Sequence, residues 1–227
     1  MPRLVAVRRV ALLVLVALVA GVASSGAEVP STACPPPAAS PPPGAVPTTP
    51  VAAAEPTPEQ VLVCVGAEAI TGATYSHWLT VAKAEAGPSV KRHHTASAKA
   101  LQSEVLGFLI SSEWVIGEAK DRGVSVSAAK IKGEFDHIRH AQFPKRREFQ
   151  AFLRGSGETV ADLLFRVELN LLSAGIQKQV EAGHHGAASK RRALSRFVNG
   201  FKVKWQAQTY CAAQYAVADC GHVQSSV

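Results

Sequence analysis

Apolar residues recur with helical spacing through the middle of the chain, and the clearest such stretch runs from Ala98 to Arg122. An apolar residue at every third or fourth position places one face of a helix in a core, and Gly123 is a typical end signal. The positions on this face are Leu101, Val105, Phe108, Leu109, Ser112, Val115, Ile116 and Ala119. The pattern therefore predicts a long amphipathic helix.

A strand and a shorter helix are predicted before it. The run VLVCV at residues 61–65 is rich in β-branched residues and stops at a glycine, which is typical of a strand. Thr71 can then cap a helix that continues to about Glu85, after which Gly87 and Pro88 end it. The inward face of this helix would carry Tyr75, Trp78, Leu79 and Ala82.

Two helices separated by a proline are predicted between residues 127 and 155. Ser127 can cap the first, and Pro144 ends it because the proline ring disfavours a helical residue before it. The apolar positions of the pair are Ile131, Phe135, Ile138 and Phe143, then Phe149, Phe152 and Leu153. The second helix stops at Gly155.

Two further helices complete the pattern. Thr159 and Asp162 have the spacing of a capping box and open the first of them. Its inward positions are Leu163, Leu164, Val167, Leu171, Leu172 and Ile176. The last helix is basic, continues to about Gln208 and has an apolar stripe of Leu194, Phe197, Val198, Phe201 and Trp205. The tail YCAAQYAVADC alternates weakly, so it can pair with residues 61–65 as a strand or hairpin.

These elements predict a mainly α fold, a multi-helix domain with a small strand element that pairs the N- and C-terminal segments. The folded part spans residues 60–223, which is the length of one ordinary domain. The chain shows no internal repeat of fixed period.

The N-terminal residues indicate export. Three arginines precede the apolar run at residues 10–23, and small residues follow, which predicts a signal peptide over residues 1–27 with cleavage after Ala27. The run is shorter than the about 20 residues that a membrane-spanning helix needs, and an uncleaved N-terminal anchor is the alternative. We therefore expect an extracytoplasmic protein, either secreted or associated with the cell envelope.

Residues 28–59 are rich in proline and alanine and have no apolar pattern for a core. Proline at this density favours an extended spacer, so we interpret the stretch as a disordered linker. Lipidation of Cys34 within it is a further alternative. That cysteine lies far beyond the apolar run and lacks the usual aliphatic residue before it, which disfavours a lipoprotein.

The chain carries a formal net charge of +7, and removal of the leader, with its three arginines and no acid, leaves +4. Nucleic acid is not a normal partner outside the cytoplasm and is not expected. A modest positive balance is typical of solvated helix faces, and it also allows peripheral association with the membrane or envelope.

An exported chain favours oxidation of its four cysteines. A disulfide between Cys211 and Cys220 would close a loop of about ten residues, worth about 2.7 kcal/mol on the chain-entropy model. The sequence leaves open whether Cys34 and Cys64 are paired or free. No Cys-x-x-Cys redox or zinc spacing occurs.

Candidate catalytic and metal-binding groups form no complete constellation in the sequence. His137 and His140 share a helix face, but zinc needs further ligands and no nearby set supplies them. The acidic residues of the same region lie among lysines and arginines, which is typical of surface charge; they are Glu113, Glu118, Asp121 and Glu134. We therefore predict no catalytic residue, metal or cofactor.

The order of the segments resembles the N-terminal helical domain of SurA/PrsA-type foldases, in the extracytoplasmic form found in actinobacteria. The segments that carry the resemblance are HWLTVA, FLISSEWVIGEAKDRGVSVS and FPKRREFQAFLRGSGETVADLLFRVELNLLSAGI. The similarity covers about residues 61–180 and resumes in FVNGFKVKWQAQTYCAAQYAVADC, which resembles the C-terminal segment of the same proteins.

The chain also departs from this family. The first strand of the family usually runs into Asn-Gly, where this sequence has Gly66-Ala67. Many members carry a parvulin-type prolyl isomerase domain before the C-terminal segment, but here only a short gap separates Val180 from the last helix. The catalytic residues of the family therefore have no counterparts, and the resemblance implies no enzymatic activity of this chain.

What the resemblance implies is a chaperone that cradles unfolded or nascent secreted polypeptides in an apolar groove with a basic rim. The candidate client-binding residues are Tyr75, Trp78, Phe143, Phe149 and Phe152. The alternative for each aromatic is a place in the core. The alternative functions are an envelope adaptor with one dedicated partner and an activity related to peptidyl-prolyl isomerisation.

Overall fold

The structure is a computed structural model that describes residue 34, residues 55–86 and residues 94–224. The predicted leader, 1–27, lies outside the described residues, as does most of the predicted linker, 28–59. The described residues are 69% helical and include a small four-stranded sheet, so the predicted mainly α fold is confirmed.

Six α-helices alternate with short connections in the described ranges. They are α1 (Gly72–Ala86), α2 (His94–Asp121), α3 (Ala128–Gln142), α4 (Arg146–Ser156), α5 (Val160–Glu181) and α6 (Ala187–Gln206). The strands are β1 (Val61–Val65), β2 (Glu68–Thr71), β3 (Thr209–Ala212) and β4 (His222–Gln224). A single 3-10 turn, Ala213–Tyr215, follows β3.

The sheet has the strand order β2-β1-β3-β4. Strand β1 is antiparallel to both β2 and β3, with Val63 opposite Cys211, whereas β3 and β4 are parallel. The predicted pairing of residues 61–65 with the tail is therefore confirmed. All five residues of β1 are buried, which explains why its sequence is continuously apolar. Gly66 has a φ of 58° in the two-residue turn between β1 and β2.

The contacts of the chain group into two compact units, and the boundaries between them fall within α2 and α6. We call Ser112–Phe201 the helical unit. The sheet unit comprises the described residues of Gly26–Ser111 and Lys202–Val227. The predicted domain, 60–223, spans residues of both.

The core of the helical unit lies between the end of α2 and the middle of α5. Its buried side chains are Val115, Ala119, Leu169, Leu172 and Ile176, and Phe165, Phe197 and Phe201 pack against them. The backbone of α5 approaches this region closely, because a Cβ on Gly175 would lie 2.6 Å from Val124 Cγ1.

Two predicted helix starts in this unit are confirmed in detail. Ser127 accepts a hydrogen bond from the amide of Lys130 at the start of α3. Thr159 and Asp162 form the reciprocal capping box at the start of α5.

The predicted apolar faces need two corrections. Val198 does not join the inward stripe of α6 and is 56% exposed, because it lies about 100° around the helix from Phe197, beyond the face that packs on the core. In α1, Val81 is 1% exposed and joins the buried face, whereas Ala82 is only partly buried.

Candidate functional site

Helices α1 and α2 contribute one line of side chains each to a cleft in the sheet unit. The line on α1 is Tyr75, Ser76, Leu79, Thr80 and Lys83, and the line on α2 is Lys99, Gln102, Ser103 and Leu106. Steps of three and four residues place each line along a single helix face. The helical pattern of the sequence is thus what aligns these side chains.

Aromatic packing holds the two helices together beside the cleft. The rings of Trp78 on α1 and Phe108 on α2 have centroids 4.8 Å apart, and Trp78 is 7% exposed. Trp78 was a candidate client-binding residue, but it does not line the cleft. Its place is in the packing between α1 and α2.

The chain after strand β3 forms another wall of the cleft. Residues 214–217 line it, and they lie inside the loop closed by Cys211 and Cys220, whose sulfur atoms are 2.07 Å apart. The loop is also anchored by Gln206, whose Nε2 donates to the carbonyl oxygen of Ala218 at 3.0 Å. The cysteine pair expected from its spacing therefore shapes the cleft.

The cleft has a volume of about 280 Å³, and two tyrosines form part of its lining. The rings of Tyr75 and Tyr215 meet edge to face with centroids 5.8 Å apart. Only 3% of Tyr75 and 8% of Tyr215 is exposed, so packing fixes both rings and each presents a small part of its surface. Tyr75 is the one predicted client-binding residue that the cleft contains.

Both phenols remain neutral over the physiological pH range. Burial, and secondarily the neighbouring Tyr215, raises the pKa of Tyr75 to about 12. Burial also raises the pKa of Tyr215. Neither hydroxyl has a hydrogen bond within the described residues, so each can donate one to a bound group.

The charged groups of the cleft are two lysines and one glutamate. Lys83 comes from the last turn of α1 and Lys99 from α2, whereas Glu55 precedes the first strand. Neither lysine has an ion pair within the part of the chain that the structure describes. The cleft therefore combines apolar side chains, neutral hydrogen-bond donors and two lysines against one glutamate.

The lining offers two kinds of contact to a bound group. Leu79, Leu106 and Val217 offer apolar contact to a side chain, while the amides of Gln102 and Gln214 can meet peptide groups of either polarity. A volume of about 280 Å³ accepts one or two side chains rather than a folded element.

The other candidate client-binding residues form an aromatic cluster where α3 meets α4. The ring of Phe149 lies 6.1 Å from Phe135 and 5.7 Å from Phe143, and Phe143 lies 4.9 Å from Phe152. Phe149 is buried, whereas Phe143 and Phe152 are partly exposed. The break at Pro144 thus folds the two helices into a small local core that includes Phe149.

Both histidines lie at the surface, and of the four acidic residues singled out in the sequence Asp121 and Glu134 are exposed and Glu113 is partly buried. His137 and His140 are exposed, and His140 Nδ1 lies 2.8 Å from the carbonyl oxygen of Asp136. Glu118 is an exception, since it is 4% exposed and its Oε1 lies 2.5 Å from Arg122 Nε. Its reading as surface charge was wrong, because a buried carboxylate needs the charge partner that Arg122 provides one turn later.

Sequence reasoning also missed two buried glutamates near α5. Glu158 Oε1 is 2.9 Å from Arg166 Nε, so this carboxylate is paired. Glu168 is 5% exposed, and its Oε2 has no hydrogen-bond partner within the described residues. The only signal in the sequence was that Glu168 lies one turn from Leu164, Leu171 and Leu172, on an otherwise apolar face.

No group of three or more histidine, cysteine, aspartate or glutamate side chains in the described residues is placed to hold a metal ion. The acidic residues that are buried are engaged in helix caps or ion pairs, apart from Glu168.

The second cysteine pair, which the sequence left open, is also at bonding distance. The sulfur atoms of Cys34 and Cys64 are 2.15 Å apart, which joins the predicted linker to strand β1. A cysteine in a disulfide has no thiol left to acylate, which argues against lipidation of Cys34. Two such pairs are consistent with an oxidising extracellular compartment.

Over the described ranges, no helix combines the length and apolar character needed to cross a bilayer. No protein-family model matches the chain, and no curated protein and no solved structure is significantly similar to it.

Proposed function

We propose that this protein is an extracytoplasmic chaperone that binds segments of unfolded, exported polypeptides without catalysing a reaction. The observation that carries the proposal is the cleft between α1, α2 and residues 214–217, whose lining combines apolar side chains, two buried tyrosines and two lysines. A groove of this character is what the resemblance to SurA/PrsA-type foldases led us to expect, and that relationship is itself part of the proposal.

The energetics of the cleft fit a protein that holds clients and releases them. Burial of about 100 Å² of client apolar surface contributes about 2.5 kcal/mol, which gives weak binding at each segment. The lining mixes apolar side chains with long polar ones such as Lys83, Lys99 and Gln102, so a client segment need not have one particular sequence. Several weak contacts along an unfolded chain then add by effective concentration.

Several features together support the proposed extracytoplasmic compartment. Both cysteine pairs are at bonding distance, and the N-terminal residues have the pattern of a signal peptide over residues 1–27. The proline-rich residues 28–59 would hold the folded part away from an anchor or leader. Exported chains in transit are the clients available there.

Suppression of aggregation by a cleft-filling variant tests the proposal. The full chain, in molar excess, should lower the light scattering of a chemically denatured client after dilution. Ser103 is exposed on α2 and lines the cleft, so Ser103→Trp fills the cleft without disturbing the core. Ser195 is exposed on α6, and Ser195→Trp is the matched control.

We expect Ser103→Trp to reduce protection several-fold, because a bulky ring takes up volume that a client side chain needs, whereas Ser195→Trp retains it. Equal protection by the two variants would show that the client does not bind in the cleft. No protection by the unaltered chain would reject chaperone function.

A second candidate is an envelope adaptor with one dedicated partner. The near-complete burial of Tyr75 and Tyr215 favours it, because a fixed lining is more selective than a flexible one. Capture under native conditions separates the two functions. Capture of many unrelated polypeptides, which the Ser103→Trp variant no longer captures, indicates a chaperone. Capture of one stoichiometric partner indicates an adaptor.

A further inference from the structure

Helix α6 has an unusual charge distribution within the helical unit. From Ala187 to Phe201 it contains Lys190, Arg191, Arg192 and Arg196 and no acidic residue. Its apolar side is occupied, since Phe197 and Phe201 pack on the core of the unit and Ala193 is buried. The arginines are exposed on the outside of the helix.

The three arginines have no partner within the described residues. Lys190 is neutralised by Glu181, with Nζ and Oε2 3.1 Å apart, but no ion pair or hydrogen bond of Arg191, Arg192 or Arg196 occurs. Two other arginines of the helical unit are paired, Arg122 with Glu118 and Arg166 with Glu158. The absence of such pairs leaves these guanidinium groups available to an external anion.

The geometry concentrates this charge. At 3.6 residues per turn, Arg191, Arg192 and Arg196 fall within an arc of about 140°, and they span about 7.5 Å along the helix. An arc of this width lies on one side of the helix, so a single anionic surface can contact all three side chains.

An exposed apolar residue borders the same arc. Val198 lies seven residues after Arg191, which is close to two full turns, and is 56% exposed. Cationic groups beside an exposed aliphatic side chain match the interfacial region of a bilayer, where phosphates lie next to the acyl chains.

We propose that the outer face of α6, formed by Arg191, Arg192, Arg196 and Val198, docks on a membrane surface that contains anionic phospholipid. Guanidinium groups bind phosphate in bidentate fashion, so a layer of phospholipid headgroups is the complementary partner. The helix lies on the surface by its charged side and keeps its apolar side in the core. This docking is independent of client binding in the sheet unit.

Vesicle co-sedimentation of the full chain tests the docking. Vesicles of equal parts phosphatidylglycerol and phosphatidylcholine are compared with phosphatidylcholine alone, and any contribution of the N-terminal residues is the same in every variant. We expect preference for the anionic vesicles and release by added salt. The triple variant Arg191→Gln, Arg192→Gln, Arg196→Gln should weaken partitioning on the order of 100-fold.

The matched control removes the same charge from another helix of the same unit. Arg146, Arg147 and Arg154 on α4 are exposed, and the triple variant Arg146→Gln, Arg147→Gln, Arg154→Gln should retain partitioning within a few-fold of the unaltered chain. The single variant Arg196→Gln should weaken it about fivefold, and it stays informative if the α6 triple variant folds poorly.

Three outcomes would overturn the proposal. The first is an equal loss of partitioning in the α4 and α6 triple variants, which would reflect net charge alone. The second is no preference of the unaltered chain for anionic vesicles. The third is binding to soluble long-chain polyphosphate, with loss in the α6 variant, but no binding to the vesicles.

Discussion

The carboxyl group of Glu168 lies buried in α5, and one of its oxygens has no hydrogen-bond partner in the described residues. Burial disfavours the charged form and raises the pKa of this group from 4.5 to about 7. Between these two pH values, the folded state therefore retains a proton that the unfolded state has released. The free energy of unfolding falls as pH rises from about 4.5 to about 7 and stays lower above that window.

The variant Glu168→Gln removes this dependence, because an amide has no proton to lose. We expect it to raise the free energy of unfolding by about 1 to 3 kcal/mol near pH 8 and to change it little near pH 4.5. Denaturant unfolding at both pH values measures the effect. Glu134→Gln, on an exposed position of α3, is the control, and an equal gain from it would contradict the assignment to Glu168.

Gly221 is a second residue whose surroundings decide its identity. A Cβ at this position would lie 1.8 Å from the carbonyl oxygen of Gln206, and backbone cannot yield as a flexible side chain does. We expect Gly221→Ala to lower the free energy of unfolding by about 1 to 3 kcal/mol.

Gly200 provides the contrast, because nothing lies within 4 Å of a Cβ placed there and the residue is exposed within α6. Gly200→Ala should raise the free energy of unfolding by about 0.5 to 1 kcal/mol, since alanine favours a helix. Thermal melting of both variants compares them. Similar shifts of the melting temperature would show that the backbone near Gln206 relaxes.

At the level of elements, the helices were predictable because each contains its own signals. Ser127, Pro144 and the pair Thr159 and Asp162 act on neighbours in sequence, and the structure places the boundaries of α3, α4 and α5 accordingly. Strands β2 and β4 have four and three residues, and their pairing depends on partners far along the chain. Such short segments have too little periodicity to be recognised.

The cleft was only partly predictable for the same reason. The apolar face of α1 indicated Tyr75, but Tyr215 meets it only through the fold of the tail after β3. The aromatic cluster at Pro144 had the composition of a binding surface, yet its rings pack on one another. Composition indicates that a ring is buried or bound, and only the tertiary contacts distinguish these outcomes.

Loss of one disulfide should affect client binding differently from loss of the other. Residues 214–217 line the cleft and lie between Cys211 and Cys220, whereas Cys34 and Cys64 do not line it. Replacing Cys211 and Cys220 by alanine should lower the free energy of unfolding by about 2.7 kcal/mol. Replacing Cys34 and Cys64, which close a longer loop, should lower it by about 3.7 kcal/mol.

The loss of client protection should follow the opposite order to the loss of stability. The double variant Cys211→Ala, Cys220→Ala should protect a denatured client less well than Cys34→Ala, Cys64→Ala, because it frees a wall of the cleft. Denaturant unfolding and light scattering measure the two effects. Protection that follows stability alone would contradict the role assigned to the loop.

The two proposed binding surfaces lie in different units of the chain. The sheet unit contains the cleft, and the helical unit contains the basic outer face of α6. An exported protein that binds anionic membrane by one surface and an unfolded chain by another would meet its clients where they emerge. The resemblance to SurA/PrsA-type foldases concerned the order of segments, and the chaperone function is a proposal that rests on the cleft.

Site-specific photo-cross-linking to a labelled unfolded client distinguishes binding in the cleft from binding elsewhere on the surface. A photoreactive residue replaces Ser103 in the cleft in one protein and the exposed Ser195 on α6 in another. We expect efficient cross-linking from position 103, and an excess of unlabelled unfolded client should abolish it. We expect little cross-linking from position 195. Equal cross-linking at both positions, or none at position 103, would contradict binding in the cleft.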